Sequence, residues 1–348
     1  MNEVQSEVYS ITFCTTSPQA DPFGDVGIFR ASRTMSPAAT PLALGNAIMN
    51  TTQKLSLALL LGLATPACSS AAAATIAVDE FATSTQAQTV DPASTQVRVG
   101  TWNVKRLGQG TKRMDLVAGV IEANFDVVAL QEVMTPAGLA SLMANLPGWS
   151  STLSERAVGE NGYFEYYAVL TRDGAATVTS NAIVADAADE WAREPMVTCL
   201  KAQNADFCLV STHVVFGDTV GPRDAEIQAL ARLVTNLRNT TPNESDYIVV
   251  GDFNRSGSAR SFGSFATQGF GFSDDGLTRT TISSLNGYVN PFDHVLLDKV
   301  VTNEWSGIGR RVDILAGACG GSSSFCASSV SDHAPLSITL NTAGVDDD

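Results

Sequence analysis

The chain has 348 residues, 44% of them hydrophobic, and a formal net charge of −15. That length buries a full core as one large domain or two medium ones. The charge excludes bulk attraction to phosphate backbones, so any action on nucleic acid needs a local basic patch or a bound cation, and an acidic balance suits collection of divalent ions through carboxylates.

Residues 1–48 show no periodicity and are rich in Ser, Thr, Ala and Pro. A lone Lys54, the apolar run Leu55–Leu63 and a small-residue stretch through Ala74 read as a secretory signal peptide over 49–74. The run is too short to span a bilayer; a buried helix or a stop-transfer anchor is the alternative. Because such a signal works from an N-terminus, translation is expected to start at Met49, leaving 1–48 as an upstream extension that is disordered or not translated. Cys68, after Thr-Pro-Ala, offers lipid attachment as the lesser option. Residues 75–95 read as a linker, 96–342 as the folded domain and 343–348 as an acidic tail. The mature protein is expected to be secreted, extracellular or periplasmic, and monomeric.

Val97–Trp102 alternates as a strand and ends in Asn103. Arg113–Phe125 carries a helical stripe of Met114, Val117, Ile121 and Phe125. Asp126–Gln131 is a second strand, ending in Glu132, and residues 137–146 suggest another helix. Tyr163–Leu170 and Ala176–Val184 suggest strands. The acidic segment Asp186–Glu190 follows; Asp186, Asp189 and Glu190 read as a solvated loop, with a structural Ca²⁺ site as the alternative. Two strand-like runs, Pro195–Leu200 and Phe207–Thr212, make a hairpin joined by 201–206, and His213 follows. Pro222–Arg238 is a helix with Ile227, Leu230, Leu233, Val234 and Leu237 on one face. Tyr247-Ile-Val-Val-Gly-Asp-Phe-Asn254 is a buried strand closing in a turn, with Asp252 and Asn254 on one side of an extended chain. Phe292–Leu297 is strand-like and carries Asp293 and His294; Asp332 and His333 run into a last strand ending at Leu340. Many strands, few helices and no Gly-rich phosphate loop favour an α/β sandwich over a doubly wound nucleotide fold.

After Cys14 and Cys68 are set aside, four cysteines remain in two close pairs. Cys199 and Cys208 face each other across the hairpin, and Cys319 and Cys326 bracket a Gly/Ser loop. Two local disulfides are expected, Cys199–Cys208 and Cys319–Cys326. A four-Cys metal site is the alternative, but neither pair has CxxC spacing.

Polar groups stand at strand ends: Asn103, Glu132, His213, Asp252 with Asn254, and Asp332 with His333. The chain has three histidines, each near a strand end or beside an Asp. Thr101-Trp-Asn-Val104, Leu130-Gln-Glu-Val133, Ser211-Thr-His213, Gly251-Asp-Phe-Asn254, Phe292-Asp-His294 and Ser331-Asp-His-Ala-Pro335 resemble, in order, the motifs of the endonuclease/exonuclease/phosphatase superfamily. Gly162-Tyr-Phe-Glu165 and Arg193-Glu-Pro195 are similar to elements of its deoxyribonuclease I branch.

The resemblance implies a four-layer α/β sandwich of two packed, mainly antiparallel sheets flanked by helices. It implies phosphodiester hydrolysis dependent on Mg²⁺, with Mn²⁺ as a substitute. By position, Glu132 would bind the metal with Asn103, Asp332 and Asp252. Asp252 and Asn254 would hold the scissile phosphate, His213 would be oriented by Glu165, and His333 by Asp293. Arg193, Tyr163, Asn254 and His294 would contact substrate phosphate; for His294 packing behind Asp293 is the equal alternative. Tyr163, Arg172 and Arg193 would face a polyanion. The chemistry asks for this set, since an anionic diester repels a nucleophile until a hard cation neutralises it. A water must also lose a proton and the leaving oxygen gain one, which suits paired imidazoles.

Three departures stand out: Met134 and His294 occupy places where that branch carries Arg, and the cysteine pairs do not match its disulfides. The expected activity is cleavage of DNA, or of RNA, with little sequence preference. The alternatives are a sphingomyelinase-type phospholipid phosphodiesterase, a phosphatase, or a binding module with degenerate chemistry.

Overall fold

The computed structural model describes residues 95–344 apart from Pro242; all lie in the compact unit Thr85–Asp348. The expected upstream extension, signal peptide and most of the linker fall outside the described residues.

The long hydrophobic runs become paired strands because both their faces are buried. The first sheet contains β1 (Gln96–Leu107), β2 (Val127–Val133), β3 (Trp149–Leu153), β4 (Val158–Glu160) and β5 (Tyr163–Arg172), with β14 (Trp305–Arg311) and β15 (Leu336–Asn341). Its order is β14-β15-β1-β2-β5-β3, with β4 also paired to β5. The second sheet contains β6 (Thr177–Ile183), β7 (Met196–Ala202), β8 (Ala205–His213), β9 (Tyr247–Asp252), β10 (Phe270–Phe272) and β13 (Asp293–Asp298). Its order is β10-β13-β9-β8-β7-β6. A small ribbon pairs β11 (Ile282–Ser283) with β12 (Gly287–Tyr288). Each large sheet is antiparallel apart from one parallel pair, β1 with β2 and β8 with β9.

Side chains alternate along each strand, and the alternation sorts them into three cores. Val127 and Ala129 of β2, Tyr167 and Val169 of β5, Phe207 and Leu209 of β8, and Ile248 and Val250 of β9 fill the space between the sheets. Val128 and Leu130 point outward beneath α1 (Met114–Asn124) and α2 (Pro136–Met143). On the far side, Cys208, Val210, Tyr247 and Val249 meet Ile227, Leu230 and Val234 of α3 (Gly221–Thr240). Three cores between four layers make the expected sandwich. Thr135 caps α2 by accepting from the Gly138 N–H at 3.0 Å.

The cysteines pair as expected. Cys199 and Cys208 are directly opposed between β7 and β8 and are bonded; Cys319 and Cys326 are bonded as well. The four-Cys metal site is thereby excluded. Asp186, Asp189 and Glu190 do not gather as ligands: Asp186 accepts the backbone N–H groups of Glu190 and Trp191, and Glu190 pairs with Arg232. Strands β3, β4, β10, β11, β12 and β14 escape sequence reading: β3 is rich in Ser and Thr, β4, β10, β11 and β12 are only two or three residues long, and β14 carries Gly307 and Gly309.

Candidate active site

The space between the sheets is apolar along its length and turns polar at one end. Extending the inward-facing series of each strand places Asn103, Gln131, Glu165, His213, Asp252 and Asp293 there. Register completes the placement: His213 and Asp293 are the partners of Asp252 on either side of β9. Close pairing here requires Gly251, whose φ is +145° and whose added Cβ would lie 1.9 Å from the Thr212 carbonyl oxygen.

Glu132 breaks the alternation. It follows inward-facing Gln131 and by period alone would face α2. The β2–β5 register shifts between Leu130 and Val133, and Glu132 takes a φ of +60°. This bulge turns its carboxylate into the cleft. Lys105, Arg106 and Asn254 also have positive φ, at +45°, +48° and +49°. With cleft-lining Asn161 at +53°, five of the eight non-glycine residues of positive φ among the described residues stand at or beside this cleft.

Asn103 ties the metal-binding candidates together. Its Nδ2 donates to Glu132 Oε1 and to Asp252 Oδ2, each at 3.1 Å. The Arg106 backbone N–H donates to Glu132 Oε2 at 2.9 Å. His213 Nδ1 lies 2.9 Å from Glu165 Oε2, and His333 Nδ1 lies 2.8 Å from Asp293 Oδ2. The opposite Nε2 atoms both approach Asp252 Oδ2, at 3.7 Å and 3.6 Å. His333 is held from behind: Trp102 Nε1 donates to its carbonyl, its own N–H donates to Ser331 Oγ, and Thr281 bridges it. His213 donates its backbone N–H to Tyr167 Oη at 3.0 Å.

These contacts set the electrostatics. Burial would lower the His333 pKa, but the carboxylates of Asp293 and Asp252 outweigh it and raise it to about 10. Burial likewise opposes, and Glu165 restores, a raised His213. Burial pushes the Asp252 carboxyl above the usual range, with His333 opposing and Asp293 adding to the push. In Glu165, burial is overcome by His213, and the carboxyl stays below its ordinary value.

Stability is thereby linked to pH. A histidine raised above 6.5 stabilises the fold fully below that pH, and this contribution is lost as pH climbs through about 10. His213 contributes with the same sign. In EDTA, urea midpoints are expected to fall across this window, each tenfold difference in proton affinity between folded and unfolded chain corresponding to about 1.4 kcal/mol. His333→Gln is expected to flatten that fall, and an unaltered pH profile would contradict the pairing.

The cleft is about 630 Å³ and is lined by Glu132, Tyr163, Arg193, His213, Asp252, Asn254, Asp332 and His333 among others. Two expected contacts, His294 and Arg172, lie away from the cleft, and for His294 this is the packing alternative. His294 follows inward-facing Asp293 and so faces outward; it is buried against Phe253, Phe262 and Phe272, with Nε2 2.7 Å from the Arg255 carbonyl. It therefore contacts no substrate from this position. Arg172 ends the other end of β5, where it pairs with Asp126 and covers Trp149, away from the cleft. Arg193 lines the cleft, but its Nε and Nη2 donate to the carbonyls of His213 and Val214 at 2.8 Å and 2.9 Å. It braces the backbone that carries His213. Asp332 lines the cleft with its carboxylate 2.8 Å from Lys105 Nζ.

Sequence reading passed over Lys105, Arg106 and Lys112. Lys105 Nζ also donates to the Ala327 carbonyl, and Lys112 Nζ to that of Val330. Burial lowers the Lys112 pKa to about 8, with nearby Asp332 raising it and Lys105 lowering it. The signal was present, since Lys105 and Arg106 follow Asn103 closely in the chain.

Comparison with known proteins agrees with this architecture. A model of the Endonuclease/Exonuclease/phosphatase family matches residues 100–333. A Thioalkalivibrio sp. protein named Deoxyribonuclease is 34% identical over 171 residues, covering 47% of this chain and 47% of its own length. A Mus musculus protein named Deoxyribonuclease-1-like 2 is 27% identical over 173 residues, covering 46% of this chain and 60% of its own. The chain thus spans about half the length of these curated relatives. Among solved structures, D. rerio TDP2 complexed with single strand DNA product superposes with a TM-score of 0.53 at 16% identity, covering 72% of this chain and 100% of that one. The 3′ phosphatase NExo from Neisseria, bound to product DNA hairpin, gives 0.51 at 14% identity, covering 70% of this chain and 99% of that one. At these identities the structures establish the fold alone. The ordered motifs, the four-layer sandwich and the family match lead to one conclusion: this chain belongs to the endonuclease/exonuclease/phosphatase family.

Proposed function

We propose that the protein is a secreted, divalent-metal-dependent phosphodiester hydrolase that cleaves DNA within the strand, with little sequence preference. The observation that carries this reading is the symmetric pair of imidazoles: each Nδ1 is held by a buried carboxylate, and each Nε2 faces the same oxygen of Asp252. The relatives named deoxyribonuclease support DNA as substrate, and the two disulfides support export.

The residues fit a hard cation. Glu132, Asn103, Asp252 and Asp332 are oxygen donors or amides of the kind Mg²⁺ takes, and Asn103 links two of them at 3.1 Å. Asp252, Asp293 and His333 offer ligand atoms within 4.8 Å of one another. Asp293 Oδ1 is buried without a hydrogen-bond partner among the described residues. Such crowded, desolvated carboxylates call for a positive charge beside them. When bound, the cation supplies charge neutralisation at the phosphate. The chain's own residues do the rest. Glu165 and Asp293 fix the tautomers of His213 and His333 by occupying Nδ1. The two free Nε2 atoms flank the phosphate and divide the proton transfers, one taking a proton from water and the other giving one to the leaving oxygen. Asn254, whose Nδ2 is anchored on the Val214 carbonyl at 2.9 Å, positions the phosphate.

Purified protein incubated with plasmid, RNA and sphingomyelin, each with Mg²⁺ or EDTA, tests the proposal. Plasmid is expected to be nicked and then linearised with Mg²⁺ and to stay intact in EDTA. Hydrolysis of sphingomyelin with the plasmid left intact would reassign the substrate.

A further inference from the structure

Beyond the catalytic cleft lies a second, smaller depression of about 300 Å³, lined by Arg106, Gln109, Met134, Gly162, Tyr163 and Phe164. Arg106 and Tyr163 line both hollows. They form the ridge between them, with the Arg106 guanidinium 5.9 Å from the centre of the Tyr163 ring. Any chain leaving the catalytic cleft on this side crosses that ridge.

Among the described residues two aromatic side chains are exposed, Phe164 at 51% and Phe216 at 70%. A single exposed apolar residue needs no explanation. Here, however, Phe164 lines the outer depression and Phe216 lines the catalytic cleft. The surrounding walls hold little positive charge. Arg106 and Arg193 are the lysine or arginine side chains lining the main cleft, and Arg193 is committed to two backbone carbonyls. Duplex DNA is held chiefly through many phosphate contacts by Lys and Arg. An unpaired strand offers the faces of its bases, which stack on aromatic rings irrespective of sequence.

Resting on the phosphodiesterase reading above, we infer that Phe164 with its depression and Phe216 are stacking subsites for unpaired nucleobases on either side of the scissile phosphate, with Arg106 bridging the intervening backbone. The preferred substrate is single-stranded or locally melted nucleic acid. Met134 and Phe164 supply an apolar floor, Gln109 a hydrogen-bonding edge, and Arg106 one cation at the ridge.

The test compares wild-type protein with Phe164→Ala, Phe216→Ala, the double variant and Phe164→Trp. Substrates are one labelled sequence presented as a single strand and as a closed hairpin duplex, with Mg²⁺. Binding of a short oligothymidylate in EDTA is followed by anisotropy. The wild type is expected to cleave the single strand with the higher kcat/KM. Each alanine is expected to lower the single-strand-to-duplex ratio about tenfold, as the loss of one stacked base would, and Phe164→Trp to restore it. A general loss of folding or catalysis lowers both substrates together and leaves the ratio unmoved. Equal wild-type cleavage of both forms, or a ratio unmoved by the alanines, would overturn the inference. Phenylalanine-dependent binding of the oligothymidylate without cleavage of either form would keep the subsites and refute the nuclease reading instead.

Discussion

In the His333→Ala variant, Mg²⁺-dependent cleavage of plasmid is expected to drop by roughly 10³-fold, within the 10²–10⁴ range typical of a positioned general acid or base. The imidazole is anchored at Nδ1 by Asp293 at 2.8 Å and presents Nε2 to the cleft, a placement that an alanine methyl cannot replace. His213→Ala is expected to lose activity on a similar scale, since Glu165 anchors it in the same way. If the pair works as a unit, the double variant falls little below either single one. Both residues sit at the mouth of the inter-sheet core rather than within it, so far-UV dichroism and cooperative unfolding should persist. Should either variant fold poorly, His333→Gln retains polarity at the site and gives the same comparison. Near-wild-type cleavage by any of these would remove the imidazoles from the mechanism.

The second large effect concerns stability, and it contrasts two identical chemical changes. Gly119 lies inside α1, and a Cβ built there meets nothing within 4 Å. Gly119→Ala is expected to stabilise by about 0.5–1 kcal/mol, because alanine is the better helix former. At Gly251 the same methyl would lie 1.9 Å from the Thr212 carbonyl oxygen, on backbone with φ of +145°. Strain there alone is of order 1–3 kcal/mol, and the overlap adds to it by forcing β8 from β9. Gly251→Ala is therefore expected to destabilise by about 3 kcal/mol or more, read as a lowered urea midpoint, with activity lost as well. The two effects are linked, since separating Thr212 from Gly251 also separates His213 from its register partner Asp252. A midpoint unchanged from wild type would mean that the sheet yields freely at the site.

Much of this was open to reading in the primary structure. Strands buried on both faces are apolar along most of their length, so β2, β8 and β9 announced themselves through the runs 127–130, 207–210 and 247–250, and α3 by its single stripe. Polar residues at the close of such runs are costly unless they leave the core, which marked Asn103, His213 and Asp252. Strand β3 was silent because its Ser/Thr-rich run lacks an apolar pattern, and β14 because two glycines interrupt it. His294 was legible in principle: strict alternation puts it on the opposite face from Asp293, against the phenylalanines beneath α3. Arg172 was misplaced because a strand has two ends, and charge alone does not say which one meets the substrate.

By itself, then, the sequence determined the main buried strands and the helices α1, α2 and α3, the two cysteine pairs and the roster of polar groups at strand ends. Those follow from local rules: periodicity, burial and spacing along one chain. Tertiary structure alone decided that Asn103 joins Glu132 to Asp252, that a bulge with positive φ swings Glu132 inward, that Arg193 braces a backbone, and that Lys105 claims Asp332. Each of those outcomes rests on distances between residues far apart in the chain, which only the packing of one sheet on the other can set.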